Sequence, residues 1–147
     1  MIDYAHTPDA VAHAAQALLP LAQSRGGELT CVLGCGGERD TAKRPIMAAA
    51  AEQYAHHVVL TSDNPRGEDP KEILDHMLKG LKHVDRVEVI VDRAQAIAQA
   101  IQNADIKDVV LVAGKGHEDY QEISGIKHPF SDVLHAREAL YQRRTHV

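Results

Sequence analysis

Three short stretches of the chain gather polar, glycine-rich and charged residues of the kinds that hold small ions. They are Gly34-Cys35-Gly36-Gly37-Glu38-Arg39-Asp40, Ser62-Asp63-Asn64-Pro65-Arg66 and Gly114-Lys115-Gly116-His117-Glu118-Asp119. Arg39 and Arg66 carry guanidinium forks that match a carboxylate at two points. Taken singly, either reads equally as a solvated surface arginine. Taken together with Asn64 and Glu118, two cationic forks and an acidic acceptor suit a zwitterionic amino acid with more than one carboxylate. The glycines at 34, 36 and 37 offer a backbone cradle for phosphate, or simply a tight strand-to-helix turn. They do not match the dinucleotide fingerprint G-x-G-x-x-G. Gly114-Lys115-Gly116 resembles the tail of a P-loop, but no GxxxxGK[ST] occurs anywhere. ATP binding and hydrolysis by this chain alone are therefore not expected. Lys43 and Lys115 read either as phosphate contacts or as solvated side chains.

The ten histidines are His6, His13, His56, His57, His76, His83, His117, His128, His135 and His146. None falls in an HExxH pair or a comparable ligand spacing, so most read as surface or packing residues. His6 and His117 are the exceptions, because they sit inside polar loops. Cys31 and Cys35 lie close together, on a strand and in the turn after it. No CxxC partner follows them, which favours two small buried residues over a metal half-site or redox pair.

These loops need elements to hold them in place. Leu29–Leu33, His57–Thr61, Val87–Val91 and Asp108–Val112 are short apolar runs that read as strands. Helical patterns separate them: Ala10–Leu21, started by Thr7-Pro8-Asp9 and ending near Pro20; Pro45–Tyr54; Pro70–Leu81, capped by Asp69; and Arg93–Gln102, capped by Asp92. A hairpin follows, Tyr120–Ile123 and Ile126–His128, turned at Ser124-Gly125. Ser131 then caps a last helix, Val133–Arg143. Continuous apolar strands alternating with helices imply an α/β domain. The expected architecture is a doubly wound, mostly parallel, Rossmann-like sheet with helices on both faces and a short antiparallel hairpin near the C-terminus. In such a sheet the ligand lies at the carboxyl ends of the strands, where the three polar loops fall.

With 147 residues, 44% of them hydrophobic, the chain reads as one domain, 1–147, with an aliphatic core. A net charge of −5 argues against a nucleic-acid partner, and 3% aromatics without Trp argue against a base-stacking surface. No stretch approaches the roughly 20 apolar residues of a membrane helix. The first six residues lack the basic and apolar regions of a signal peptide. A cytoplasmic, monomeric protein without membrane contact is expected. Asp3-Tyr4-Ala5-His6, a functional-looking motif almost at the first residue, reads as part of something longer.

Five motifs in order carry a resemblance to a known family. They are Asp3-Tyr4-Ala5-His6-Thr7-Pro8-Asp9, the stretch Gly34 to Asp40, Lys43-Arg44-Pro45, Asp63-Asn64-Pro65-Arg66, and Gly114-Lys115-Gly116-His117-Glu118-Asp119-Tyr120-Gln121. Together they resemble the Mur ligases, in the type that adds meso-diaminopimelate, over residues Asp3 to about Asp132. The resemblance implies a three-domain ligase of which this chain is the C-terminal, amino-acid-binding domain. The N-terminal UDP-sugar domain and the central domain, which carries ATP and Mg2+, lie outside it. It implies a reaction in which ATP converts the D-glutamyl carboxylate of UDP-N-acetylmuramoyl-L-alanyl-D-glutamate to an acyl phosphate, which the diaminopimelate amine attacks. By the same resemblance Arg39, Asp63, Asn64, Pro65, Arg66, Gly114 and Glu118 form the diaminopimelate site. Arg39 and Arg66 hold carboxylates, Glu118 accepts from an ammonium, Gly114 offers backbone at close range, and Asp63 supports the loop. Asp3, His6 and Asp9 resemble positions that meet ATP at the domain junction, where His6 reads alternatively as a hinge residue. No catalytic residue and no metal ligand are expected in this domain.

Two other readings stand beside this one. One is a freestanding anion- or nucleotide-binding α/β module, against which the missing P-loop counts. The other is a related ligase that adds L-lysine or glutamate. Arg66 separates it from the first reading, because relatives that accept lysine typically lack this arginine. A distal carboxylate left unmatched in a buried pocket costs several kcal/mol.

Overall fold

The computed structural model describes residues 1–145, so His146 lies outside the described residues. The elements run β1 (Ile2–Asp3), α1 (Pro8–Ser24), β2 (Leu29–Leu33), α2 (Lys43–Tyr54), β3 (His57–Leu60), α3 (Pro70–Leu78), a single 3-10 turn (Val84–Arg86), β4 (Val87–Val89), α4 (Arg93–Asn103), β5 (Val109–Ala113), β6 (Tyr120–Ile123), β7 (Ile126–Pro129) and α5 (Asp132–Thr145). The first five strands form one parallel sheet in the order β1-β5-β2-β3-β4, and β6 and β7 form a separate antiparallel hairpin.

Side-chain alternation along the central strands builds two cores. Leu29, Cys31 and Leu33 of β2 join Val58, Leu60 and Leu111 under α1, α2 and α3. Val32, Val59 and Val112 face the other way, under α4 and Ala139 of α5. Both faces are covered, so β2 and β5 are apolar along their length apart from Thr30. Alanines at the helix contacts (Ala15, Ala22, Ala48, Ala51, Ala96) are fully buried and let the helices lie close to the sheet.

The doubly wound architecture expected from the sequence is present, with shifts that have physical causes. Thr7 caps α1, its Oγ1 accepting from the Ala10 N–H at 3.2 Å, and Pro8 occupies the first turn. The helix then passes through Pro20 to Ser24 instead of ending there. An interior proline forgoes one backbone bond and costs about 3 kcal/mol. Pro20 sits on the exposed side while Ala22 beyond it is buried, so packing holds the last turn. α3 stops at Leu78, three residues early, because Gly80 is pressed on the Pro45 carbonyl and the chain tightens through Gly80 N–H to Met77 and Leu81 N–H to Leu78. β4 stops at Val89 instead of Val91; it is an edge strand with one neighbour, and both valines are exposed. β1 has two residues, too few to show a pattern in the sequence.

Among the described residues no helix is long and apolar enough to cross a membrane. The strand order reverses between β2 and β5. The loops leaving the carboxyl ends of β1, β2, β3 and β5 meet there, where ligands bind in sheets of this kind.

Candidate functional site

The loops after β2 and β3 are pressed together backbone on backbone. A Cβ at Gly34 would lie 2.3 Å from the Thr61 carbonyl oxygen, and one at Gly37 only 1.8 Å from that of Pro65. The Gly37 N–H donates to the Asn64 carbonyl at 2.8 Å. Gly34 and Gly37 therefore serve close contact between the two loops, a role that neither sequence reading named, and the Gly37 donor is not available to a phosphate.

The hairpin supports the other side of the 63–66 loop. Gln121 Nε2 donates to the Asp63 carbonyl at 2.9 Å, the Glu122 N–H to Asn64 Oδ1 at 2.9 Å, and the Arg66 N–H to the Glu122 carbonyl at 2.9 Å. Arg66 also makes an isolated parallel bridge with Ile123. These bonds hold Arg66 at φ +55°, a conformation that a non-glycine residue rarely adopts. Its guanidinium is thereby turned across the glycine loop. Nη1 donates to the Gly37 carbonyl at 3.0 Å, and Nε lies 3.9 Å from Glu122 Oε1.

Lys115 is neither solvated nor free to meet a phosphate. It is fully buried, and its Nζ lies 2.8 Å from Asn64 Oδ1, 3.1 Å from Asp63 Oδ1, 3.1 Å from the Tyr120 carbonyl and 3.5 Å from Glu118 Oε1. Gly114 precedes it at φ +118°, where a side chain would be strained and its Cβ would sit 3.0 Å from Asp63 Oδ2. Two more buried cations brace the site. Arg93 forms a two-point pair with Asp132 at 2.8 and 2.7 Å and donates to the Ser62 and Ala113 carbonyls at 3.0 Å each. It thus ties together the residues from which the β3 and β5 loops depart. Arg44 donates to Glu68 at 2.8 Å and to the Gly36 carbonyl at 3.2 Å, and shares a hydrogen bond with His76 Nδ1 at 3.1 Å. The Arg44 hydrogen bond holds the Glu68 carboxyl below its ordinary range, helped by the Glu38 N–H. Arg44 Nε is the one buried side-chain polar atom without a partner among the described residues.

A cleft of about 540 Å³ opens above this framework. Of the residues singled out from sequence, His6, Gly34, Cys35, Gly36, Arg39, Lys43, Asp63, Asn64, Arg66, Gly114 and Glu118 line it. Pro65 is buried behind it with its carbonyl against Gly37. Asp3 and Asp9 do not line it: Asp3 Oδ1 accepts from the Ala5 N–H at 2.8 Å, and Asp9 is exposed in the first turn of α1. His6 stands on the rim, edge-on to Tyr4 with ring centres 4.8 Å apart. His117 is exposed and off the cleft wall. Sequence reasoning quoted Arg44 only within a motif and left Lys115 open. Neither burial was legible, because the partners lie on other elements.

Arg39, Arg66, Asp63 and Glu118 all line the cleft, so its wall combines cationic and anionic side chains that suit an ammonium and a carboxylate of one ligand. Asn64 Oδ1 is occupied by Lys115 and the Glu122 N–H, which leaves its amide nitrogen as the group to offer. Cys35 reaches the wall, but burial pushes its thiol up to about 12, with the Asp63 charge adding to the effect, so it is no nucleophile at neutral pH. No group of three or more His, Cys, Asp or Glu side chains among the described residues is placed to hold a metal ion.

Comparison with known proteins identifies the family and the fold. The family model described as "Mur ligase, glutamate ligase domain" matches residues 1–116. The chain is 57% identical over 142 residues to the UDP-N-acetylmuramoyl-L-alanyl-D-glutamate--2,6-diaminopimelate ligase of Acidovorax sp. (strain JS42), covering 97% of this chain and 28% of that protein. It is 55% identical over 143 residues to the ligase of the same name from Ralstonia nicotianae, again covering 97% of this chain and 28% of that protein. A solved structure of a ligase of that name superposes with a TM-score of 0.88 at 44% identity, over 97% of this chain and 29% of the other. Folylpolyglutamate synthase from Mycobacterium tuberculosis complexed with ADP shares the fold alone, at TM-score 0.54 and 21% identity, over 95% of this chain and 29% of the other. The chain spans about 28% of the length of the curated relatives it matches.

Proposed function

The chain belongs to the Mur ligase family, and from that premise we propose that it forms the amino-acid-binding domain of an ATP-dependent ligase that adds meso-diaminopimelate to UDP-N-acetylmuramoyl-L-alanyl-D-glutamate. The observation that carries this reading is the fixed Arg66. Its backbone is bonded to the hairpin on one side and its guanidinium to the glycine loop on the other, while Asp63 and Glu118 line the same cleft. Arg66 and Arg39 take carboxylates of the amino acid, and Glu118 takes an ammonium. The Asn64 amide and the backbone at Gly114 close the contact. L-Lysine would leave Arg66 facing no distal carboxylate, a loss of discrimination energy of several kcal/mol in a buried setting.

In this reading ATP and Mg2+ supply the activation of the D-glutamyl carboxylate, and the reaction belongs to cytoplasmic assembly of peptidoglycan precursor. The part of this chain that fits a nucleotide is the exposed Tyr4–His6 rim of the cleft. Asp3 and Asp9, off the cleft wall, shape the turn and the first turn of α1 that carry that rim. Magnesium ligands would come from the central domain. The chain's own part is to bind and orient the amine that forms the new amide, and positioning of that kind supplies much of the rate in two-substrate reactions.

The test is Arg66→Ala in the full-length ligase. The Michaelis constant for diaminopimelate should rise at least tenfold, about 1.4 kcal/mol or more, with that for ATP unchanged. An unchanged constant for diaminopimelate removes Arg66 from the site.

A further inference from the structure

We propose that Lys115 is a positioning residue that sets amino-acid specificity, by fixing the distance between the carboxylate-binding and ammonium-binding sides of the cleft. This rests on the reading above and extends it to a residue with no side-chain access to the ligand, since Lys115 is fully buried and absent from the cleft wall. Its Nζ joins the β3 loop, the β5 loop and β6, through Asp63, Asn64, Glu118 and the Tyr120 carbonyl.

An ammonium has three N–H donors, and here four acceptors surround it. Asn64 at 2.8 Å, Asp63 at 3.1 Å and Tyr120 at 3.1 Å are the close ones. Glu118 at 3.5 Å is held loosely and keeps its charge available to a second ammonium, that of the ligand. The same nitrogen fixes Asn64, and Asn64 Oδ1 in turn receives the Glu122 N–H next to the bonds that hold Arg66. One buried charge therefore locates both the fork for the ligand's carboxylate and the acid for its ammonium. Buried ion clusters of this kind add little to net stability compared with apolar packing, which makes geometry the better account of its presence. Without Lys115, Asp63 and Glu118 lose the ammonium between them and keep only the charge of Arg93, which is already paired with Asp132. A simple cation such as the side chain of L-lysine then gains a place, while Arg66 loses its register.

The experiment compares full-length ligase with its Lys115→Met variant for diaminopimelate and L-lysine. The ratio of kcat/KM for the two should fall at least tenfold, with the KM values for ATP and for the UDP-dipeptide within twofold of wild type. Lys115→Gln, which keeps a donor toward Asn64, should fall between the two. Partial unfolding lowers the amount of active enzyme but leaves this ratio unmoved, so a ratio within twofold overturns the proposal. A common rise in all three KM values, or failure of both variants to yield folded protein, also overturns it, in favour of a lysine that serves only the scaffold. Wild-type enzyme that does not use diaminopimelate would defeat the functional reading itself, a result distinct from these.

Discussion

At the scale of single residues, the site is a set of charges whose partners decide what each can do. Arg66 and Arg39 line the cleft, whereas Arg93 and Lys115 spend their donors on oxygens of the protein, and Arg44 bonds Glu68, the Gly36 carbonyl and His76 but leaves its Nε without a partner. The two cysteines show the same logic without a partner. Burial pushes both thiols up to about 12 from an ordinary 9.0, so both stay protonated in the fold. A thiol that holds its proton more tightly when folded adds stability that is complete below pH 9. That stability is lost as the pH climbs from 9 towards 12, because only the unfolded chain ionises there. Each thiol changes the slope by about 1.4 kcal/mol per pH unit in that window. Urea unfolding of this chain and of Cys35→Ala from pH 7 to 10.5 should give parallel curves up to pH 9. Above it the wild type should lose stability faster, by about that slope; parallel curves throughout would mean that Cys35 ionises in the folded protein. Glu68 works in the opposite sense. Its lowered carboxyl contributes stability above its ordinary range that is lost as pH falls, when its hydrogen bond with Arg44 is lost.

At the scale of elements, the question is how loops from different strands are held to each other, and glycine is the answer at two positions. Gly37→Ala would place a methyl group 1.8 Å from the Pro65 carbonyl. Overpacking of that kind costs about 1–3 kcal/mol, and here the displaced atoms carry Arg66. Full-length Gly37→Ala should lose about 2 kcal/mol in denaturant unfolding and show a raised KM for diaminopimelate. A stability loss with unchanged KM would mean that the two loops move independently. Much of this framework was legible from sequence, because continuous apolar runs mark buried parallel strands and the polar loops between them fall at one sheet edge by topology. β2 was read to the residue, and the other long elements to within a few. β1 was missed because two residues show no period, and α1 outran its expected end because packing of Ala22 outweighs an exposed Pro20. Lys115 and Arg44 were not legible as buried charges. What buries Lys115 includes Asp63 and Asn64, more than 50 residues away in the chain, and what buries Arg44 includes Glu68 and His76, so no local pattern records either.

At the scale of the whole molecule, the proposed reading makes the cleft a half-site in composition. One wall is braced by three buried cations and the hairpin, but Arg39 and His6 stand exposed on its open side. The sequence contains no GxxxxGK[ST] loop to grip the phosphates of ATP. On the proposed reading, the reaction needs a second body carrying the activated carboxylate, brought against this one by closure. Calorimetric or NMR titration of this chain alone should therefore give weak, selective binding. Diaminopimelate should bind at about millimolar Kd, near −4 kcal/mol, L-lysine should bind more weakly, and Arg66→Ala should abolish the difference. Exposed ion pairs contribute at most about 1 kcal/mol each, so a two-point grip with one open side has little more to offer. Steady ATP hydrolysis by a clean preparation of this chain would overturn the argument that the nucleotide chemistry resides elsewhere. Binding of neither amino acid would move the specificity to the closed state, where Arg39 and Arg66 are desolvated by the opposing body and their contacts with a carboxylate strengthen. Selective binding in the open state would instead mean that the pinned loops around Lys115 already hold the geometry, and that closure adds rate and not choice.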